Sequence, residues 1–190
     1  MKKIFLPILF LALSAMACRM GGLLDAKVPV TPTAAMIPVT TEAVEAAATQ
    51  VAGAVATAQA GGPIVLEITD AQATSAAALA LQEYGENRIS NLQIRFLQGQ
   101  MQVSGDVSEQ GFNLPLLVTV SIQLDAQGRP RSQVVDASIG PLPVPQAMLD
   151  QLTTQLDAMV LAQFSGDADR IKLESLSLQP GKMTIVARLQ

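Results

Sequence analysis

The sequence predicts an α+β domain, a largely antiparallel β-sheet with two helices on one face. Three observations carry this. Leu114, Leu116, Val118, Val120, Ile122 and Leu124 alternate with Pro115, Leu117, Thr119, Ser121 and Gln123, the period-2 pattern of a strand apolar on one side and wet on the other. Met148, Leu149, Leu152, Leu156, Met159 and Val160 recur at helical spacing, in a stripe broken only at Gln163. The segments follow one another as β-α-β-β-β-β-α-β-β, strands in runs rather than strict βα alternation.

The elements follow in order. Ile64–Ile68 is dense in β-branched residues and predicts a strand. Thr69 and Gln72 stand at capping-box spacing, so a helix is expected from about Asp70 to Tyr84, stopped by Gly85. Its apolar positions are mostly alanine (Ala73, Ala76, Ala77, Ala80), with Leu79 and Leu81, which suits a helix lying close on a sheet. Leu92, Ile94 and Phe96 alternate; Gln98-Gly99 turns the chain, and Met101 and Val103 continue on the next strand. After Leu114–Leu124, the segment Ala126–Pro130 turns into a strand over Ser132–Ile139. Pro145 suits the start of a second helix that ends near Phe164. Ile171–Leu178 and Met183–Leu189 face each other across Gln179-Pro180-Gly181-Lys182, a hairpin signal.

Not all 190 residues belong to that domain. Lys2 and Lys3 precede the apolar run Ile4–Leu13, then Ser14-Ala15-Met16-Ala17 and Cys18, the pattern of a secretory signal. The apolar run is short of the ~20 residues that span a bilayer as a permanent helix. Ala15-Met16-Ala17-Cys18 resembles the bacterial lipobox. Residues 1–17 are therefore expected to be a signal peptide. Cys18 becomes the new N-terminus, carrying acyl chains such as palmitate that hold the protein on the extracytoplasmic side of a cell membrane or outer membrane. From Cys18 to Gly62 the chain is Pro-, Ala-, Thr- and Val-rich. Prolines bias its first part to extended conformations. Thr41–Ala60 has no Leu, Ile, Phe or Met to bury, so a marginal, frayed helix is the most expected there. Residues 18–62 thus form a flexible tether, of about 35–40 Å if a coil, and residues 63–190 a single domain.

Composition narrows function. From Pro63 onward 8 Lys and Arg face 13 Asp and Glu, and no basic stripe exists to neutralise phosphates, which excludes nucleic acid. The chain has one cysteine, Cys18, and no histidine, which removes a thiol nucleophile and Cys/His metal sites. Asp125, Asp136, Ser121, Ser132 and Ser138 fall at strand positions expected to be solvated, with nothing to activate a serine. No catalytic residue, metal or cofactor is expected.

The domain resembles the bacterial TULIP-type lipid-binding lipoproteins, and in particular their LmeA-like envelope domain. The resemblance lies in Ile68-Thr69-Asp70-Ala71-Gln72, in Leu97–Gly105, in Ile139-Gly140-Pro141-Leu142-Pro143-Val144-Pro145, and in the closing Leu178–Ile185. It spans Pro63–Gln190. It implies a long helix in a strongly curved sheet, with an apolar groove between them that takes acyl chains, phospholipid or a similar envelope lipid. Leu116, Val118, Val120 and Ile122 on the long strand, with Met148, Leu152, Leu156 and Met159 on the second helix, are the candidate lining. Met101 and Met183 suit variable acyl chains. The same stripes equally fill a solid core, since pattern reports burial and not cavity volume. The alternative function is a non-catalytic structural protein that docks on a protein partner at the envelope.

Overall fold

A computed structural model of the chain describes residues 35–85, 88–109, 112–165 and 171–189. These form three helices and eight strands: α1 (Thr41–Gln59), β1 (Ile64–Thr69), α2 (Asp70–Glu83), β2 (Ile89–Leu97), β3 (Gln100–Glu109), β4 (Phe112–Leu124), β5 (Pro130–Ile139), β6 (Leu142–Pro143), α3 (Gln146–Ser165), β7 (Ile171–Gln179) and β8 (Lys182–Leu189). The class is α+β, as the pattern requires. The single sheet expected is in fact two antiparallel sheets, β1-β8-β7 and β2-β3-β4-β5-β6, neither closed on itself. Cys18 and the signal-like segment lie outside the described residues, as do most of the proline-rich residues that follow.

The larger sheet has one apolar face. Phe96, Met101, Val120 and Val134 stand opposite one another across β2 to β5, and Ile94, Val103, Val118 and Ala137 form the next rung. Against this face Val120, Val134, Ala137 and Leu149 make a buried cluster, with Met101, Val118, Ile122, Val144, Leu152 and Leu156 packed around it. The two sheets meet at their hairpins. Gly181 N–H donates to the Phe96 carbonyl and Gly99 N–H to the Leu178 carbonyl, both at 3.1 Å. Gly181 has φ +86°, and Pro180 before it supplies the other half of a type II turn.

The outer strand β2, and the part of β5 that the two-residue β6 leaves unpaired, are closed by side chains of the flanking helices. On α2, Asp70 accepts from Phe96 N–H at 2.7 Å, and the Thr74 hydroxyl accepts from Ile94 N–H at 2.9 Å while donating to the Ile94 carbonyl at 3.2 Å. On α3, Thr153 accepts from Val134 N–H at 2.9 Å and Asp157 from Ser132 N–H at 3.0 Å. Each pair is one Asp and one Thr, four residues apart on the helix, meeting alternate residues of the strand. The spacing matches because four helical residues rise about 6.0 Å and two strand residues about 6.6 Å. Unpaired strand edges invite pairing with other chains, and these contacts satisfy them.

This geometry overturns the alanine stripe expected on α2. Its buried residues are Gln72, Thr74, Ser75 and Leu81, and Ala76 is exposed. The helix turns a polar face inward because a strand edge needs hydrogen-bonding partners. The capping box is present: Thr69 Oγ1 accepts from Gln72 N–H, and Gln72 Oε1 accepts from Thr69 N–H at 2.9 Å. Pro145 stands just before α3, and its carbonyl accepts from Leu149 N–H at 3.2 Å.

The largest departure lies at residues 35–62, expected as a flexible tether with at most a frayed helix. Thr41–Gln59 is a 19-residue helix against α2 and β1. Thr40 caps its start, accepting from Ala43 N–H at 3.2 Å, and its own N–H donates to the buried Ser75 hydroxyl at 3.1 Å. The end is a Schellman turn, with Gly61 N–H on the Ala58 carbonyl, Gly62 N–H on Thr57, and Gly61 at φ +83°. Ahead of the helix, the buried Gln93 side chain grips the Ile37 backbone from both sides, accepting its N–H at 2.6 Å and donating to its carbonyl at 3.2 Å. The Arg95 guanidinium donates to the Ala35 carbonyl. The expectation failed because it required large apolar side chains, whereas α1 docks through the buried Ala54 and Ala58.

Candidate functional site

An apolar space of about 290 Å³ lies where α1, α2 and the two sheets converge. Its walls are Leu66 and Ile68 of β1, Phe96 of β2, Met101 of β3, Ile122 of β4 and Met183 of β8. Ala47, Gln50 and Val51 border it from α1, and Gln72, Ala73 and Ala76 from α2. β1 turns alternate residues inward for the usual reason: Ile64, Leu66 and Ile68 are half-buried and Val65, Glu67 and Thr69 exposed, and of the inward ones Leu66 and Ile68 border the space. Among the described residues no charged side chain borders the space. Gln72 is committed to the Thr69 cap, which leaves Gln50 as the polar group without an assigned role.

The candidate lining divides. Val118, Val120, Ile122, Leu152 and Leu156 come together, but in the packed cluster around Leu149, so they serve as core. Leu116 is buried on the same strand, opposite Gly105 and Ile139, and Met148 is half-buried on α3. The side chain of Met159 lies outside the described residues. Among the described residues of the set, Ile122 alone borders the apolar space. Met101 and Met183, singled out as adaptable lining, both border it. The contribution of α1 was missed, although a signal existed: Val44, Ala47, Val51, Ala54 and Ala58 recur at alternating spacings of three and four, a small-residue stripe along one helix face.

A second space of about 390 Å³ is an open crevice between the ends of β4 and β7 and the β2–β3 turn. Ile122 borders it too, so that side chain stands between the two spaces.

Charge gathers elsewhere, where the β4–β5 turn meets α3. Asp125 accepts from the Gln127 and Arg129 amides and pairs with the Arg129 and Arg131 side chains; Arg131 also pairs with Asp157 at 2.7 Å. The Arg129 amide foremost, with that of Gln127 and the Arg129 guanidinium, holds the Asp125 carboxyl below the usual carboxylate range. For Asp157, burial pushes upward, but the Ser132 amide and Arg131 together outweigh it and the carboxyl is lowered. The Arg131 guanidinium is pushed up, chiefly by its hydrogen bond to Asp157. Every member is matched by an opposite charge, as in a structural clamp. Ser132, expected at a solvated position, is buried, because the bulge at Val135 leaves it on the side that meets α3. Among the described residues no group of three or more His, Cys, Asp or Glu could hold a metal, and no helix is long and apolar enough to cross a membrane.

In comparisons with known proteins, no family model and no curated protein sequence matches the chain.

Proposed function

We propose that the chain is a membrane-anchored envelope lipoprotein whose folded part binds a lipid or another hydrophobic ligand, phospholipid-like in the broad sense, on the extracytoplasmic side. The observation that carries this reading is the uncharged, aliphatic and methionine-lined space of about 290 Å³ between α1, α2 and the two sheets. Such lining, with few polar groups, is what an apolar ligand requires. The signal-like segment ending at Cys18 supports the anchor, and the resemblance to TULIP-type lipoproteins, with their curved sheet, supports the ligand class. The role is binding rather than catalysis.

The test is native mass spectrometry of the full chain, purified from cells without denaturation. Adducts of lipid mass, released on unfolding, are expected. A bare protein mass that persists after incubation with an envelope lipid extract would sink ligand binding. The anchor is checked separately by labelling cells with radioactive palmitate, where incorporation is expected and should vanish in Cys18→Ser.

One observation favours the alternative of docking on a protein partner. Phe112, 71 % exposed, and the exposed Leu114 stand two residues apart on the end of β4 away from the apolar space, and exposed apolar surface marks interaction sites. Cross-linking at the membrane through this end, with no lipid adduct, is the outcome that would select it.

A further inference from the structure

β7 is an outer strand of its sheet, and its edge is open. β2 and β5 have helix side chains for their outward backbone groups. Among the described residues β7 receives one hydrogen bond from outside its sheet, Gly99 N–H on the Leu178 carbonyl at 3.1 Å. That bond fixes the direction of its groups. Backbone groups of a strand point to alternate sides, so Leu178 turns away from β8, Ser177 turns toward Thr184, and Leu176 turns away again. A bulge between Leu173 and Ser175 ends this regular stretch. There Gly128, at φ +73°, packs so close that a Cβ on it would lie 2.8 Å from the Leu173 oxygen. Between the Gly99 and Gly128 turns, residues 175–178 border the open crevice. Its other wall is a second edge. β3 pairs with β4 only as far as Gln100 opposite Ser121, which leaves that side of residues 122–124 without a strand. Asp125 N–H donates to the Arg129 carbonyl, toward β5, so the Leu124 backbone is turned the opposite way. On both strands consecutive residues border the crevice, 122–124 and 175–178, whereas a sheet face would present alternate ones.

We propose that this crevice takes an extended segment of a partner protein, which pairs with the Leu176 backbone and adds a strand to β7. An open strand edge calls for an extended backbone, because only that brings donors and acceptors at the same repeat. Alternation continues onto the guest. Its side chains on one side meet Ile122, Leu124 and Leu176, and those on the other meet Gln123, Ser175 and Ser177, so the segment alternates apolar with polar residues. It is uncharged, since among the described residues no Lys, Arg, Asp or Glu borders the crevice, and Glu174 beside it is paired with Arg188 at 3.0 Å. The chain's own Val28-Pro29-Val30-Thr31-Pro32-Thr33 is a poor guest, because its two prolines have no N–H to donate. A second copy is a poor one too, since it would bring its own Gly99 and Gly128 turns into the same gap. The site is independent of whether the apolar space holds lipid.

The experiment is amide hydrogen exchange of the full chain, read at Leu176, with Ser177 as the internal reference because its N–H is turned to β8. The probes are acetylated pentapeptide amides that alternate Thr with Val, Leu or Phe. Each is compared with its form methylated at every backbone nitrogen, which keeps the side chains and removes the donors. At saturating peptide, exchange at Leu176 should slow about tenfold, equivalent to about 1.4 kcal/mol, with Ser177 unchanged and the methylated forms without effect. No slowing with any of the three peptides overturns the proposal. Equal slowing by the methylated forms overturns it as well, since contact would then run through side chains and not through the strand edge. So does an Leu176 amide that already exchanges as slowly as Ser177 in the chain alone, at a dimer's mass, for a second copy would then hold the edge. Lipid adducts at the apolar space are read separately and bear on none of these outcomes.

Discussion

Replacing Thr74 by valine isolates one hydrogen-bonding group at the heart of the helix–strand contact. The side chain is wholly buried, and its hydroxyl both accepts from Ile94 N–H at 2.9 Å and donates to the Ile94 carbonyl at 3.2 Å. Valine keeps the volume, so packing is preserved and the effect is polar. It strands one donor and one acceptor on an outer strand that α2 shields from water. Each such group costs about 1–3 kcal/mol, and the pair about 2–4 kcal/mol after partial relaxation. With a urea dependence of about 1–3 kcal/mol per molar, the unfolding midpoint should fall by about 1–2 M at unchanged slope. Amide exchange supplies the local readout, with Ile94 losing protection more than Val120 in the interior. Thr74→Ser keeps the hydroxyl and should retain the Ile94 protection. A stability change below about 0.5 kcal/mol for Thr74→Val, within the range of ordinary surface substitutions, would refute the edge-closing role.

Three further outcomes follow from the same contacts. Asp157 has a lowered carboxyl pKa in the folded state, so its stabilisation is fully present above the ordinary carboxylate value of about 3.9 and is lost as pH falls through the folded value; in urea titrations from pH 6 to pH 3, Asp157→Asn should flatten the acid limb, and an unchanged limb would contradict the clamp. Leu149→Ala, in the buried cluster, should cost about 2–5 kcal/mol by urea or thermal unfolding, whereas Met148→Ala, outside that cluster, should cost clearly less. Gln93→Ala removes both grips on Ile37 and should speed proteolytic cutting within residues 35–40 while the sheets remain resistant; equal cutting rates would show that the segment is held by other means.

The legible part of this fold was what a strand or helix declares by itself. The alternation over Leu114–Leu124, the capping box at Thr69 and Gln72, and the Pro180-Gly181 turn all appear as the residues dictate. The division into two sheets was not legible, because alternation assigns faces and not partners. β1 pairs with β8 from the far end of the chain, Ile64 opposite Ala187, and nothing in either segment names the other. The inward polar face of α2 was hidden for a related reason. Thr74 and Ser75 look like surface residues until a strand edge and the Thr40 amide are placed against them. The candidate lining divided for the same reason. Val120 is buried and Val118, Leu152 and Leu156 are half-buried, packed against one another, whereas the apolar space opens where elements from distant parts of the chain fail to fill a common volume.

That volume bears on how a ligand would reach it. The α1 side of the space is formed by Ala47, Gln50 and Val51, and the buried residues of α1 are Ala54 and Ala58. A methyl group buries little, about 0.8 kcal/mol each by the usual increment, so α1 is held on α2 and β1 by a few kcal/mol at most, together with the Thr40 and Ile37 backbone contacts. The helix itself needs less help, since alanine is the strongest helix former and both ends are capped. High internal propensity with weak docking makes a unit that opens as a whole before it melts, the low-stability end of the range over which proteins open locally. Hydrogen exchange should therefore release the amides of α1 together and ahead of those in α2. A ligand in the apolar space should close that gap, because it adds contacts to Val51 that the alanines alone do not supply. If α1 instead exchanges in step with the sheets, with or without ligand, it is a fixed wall, and entry must run past Ile122 from the crevice side.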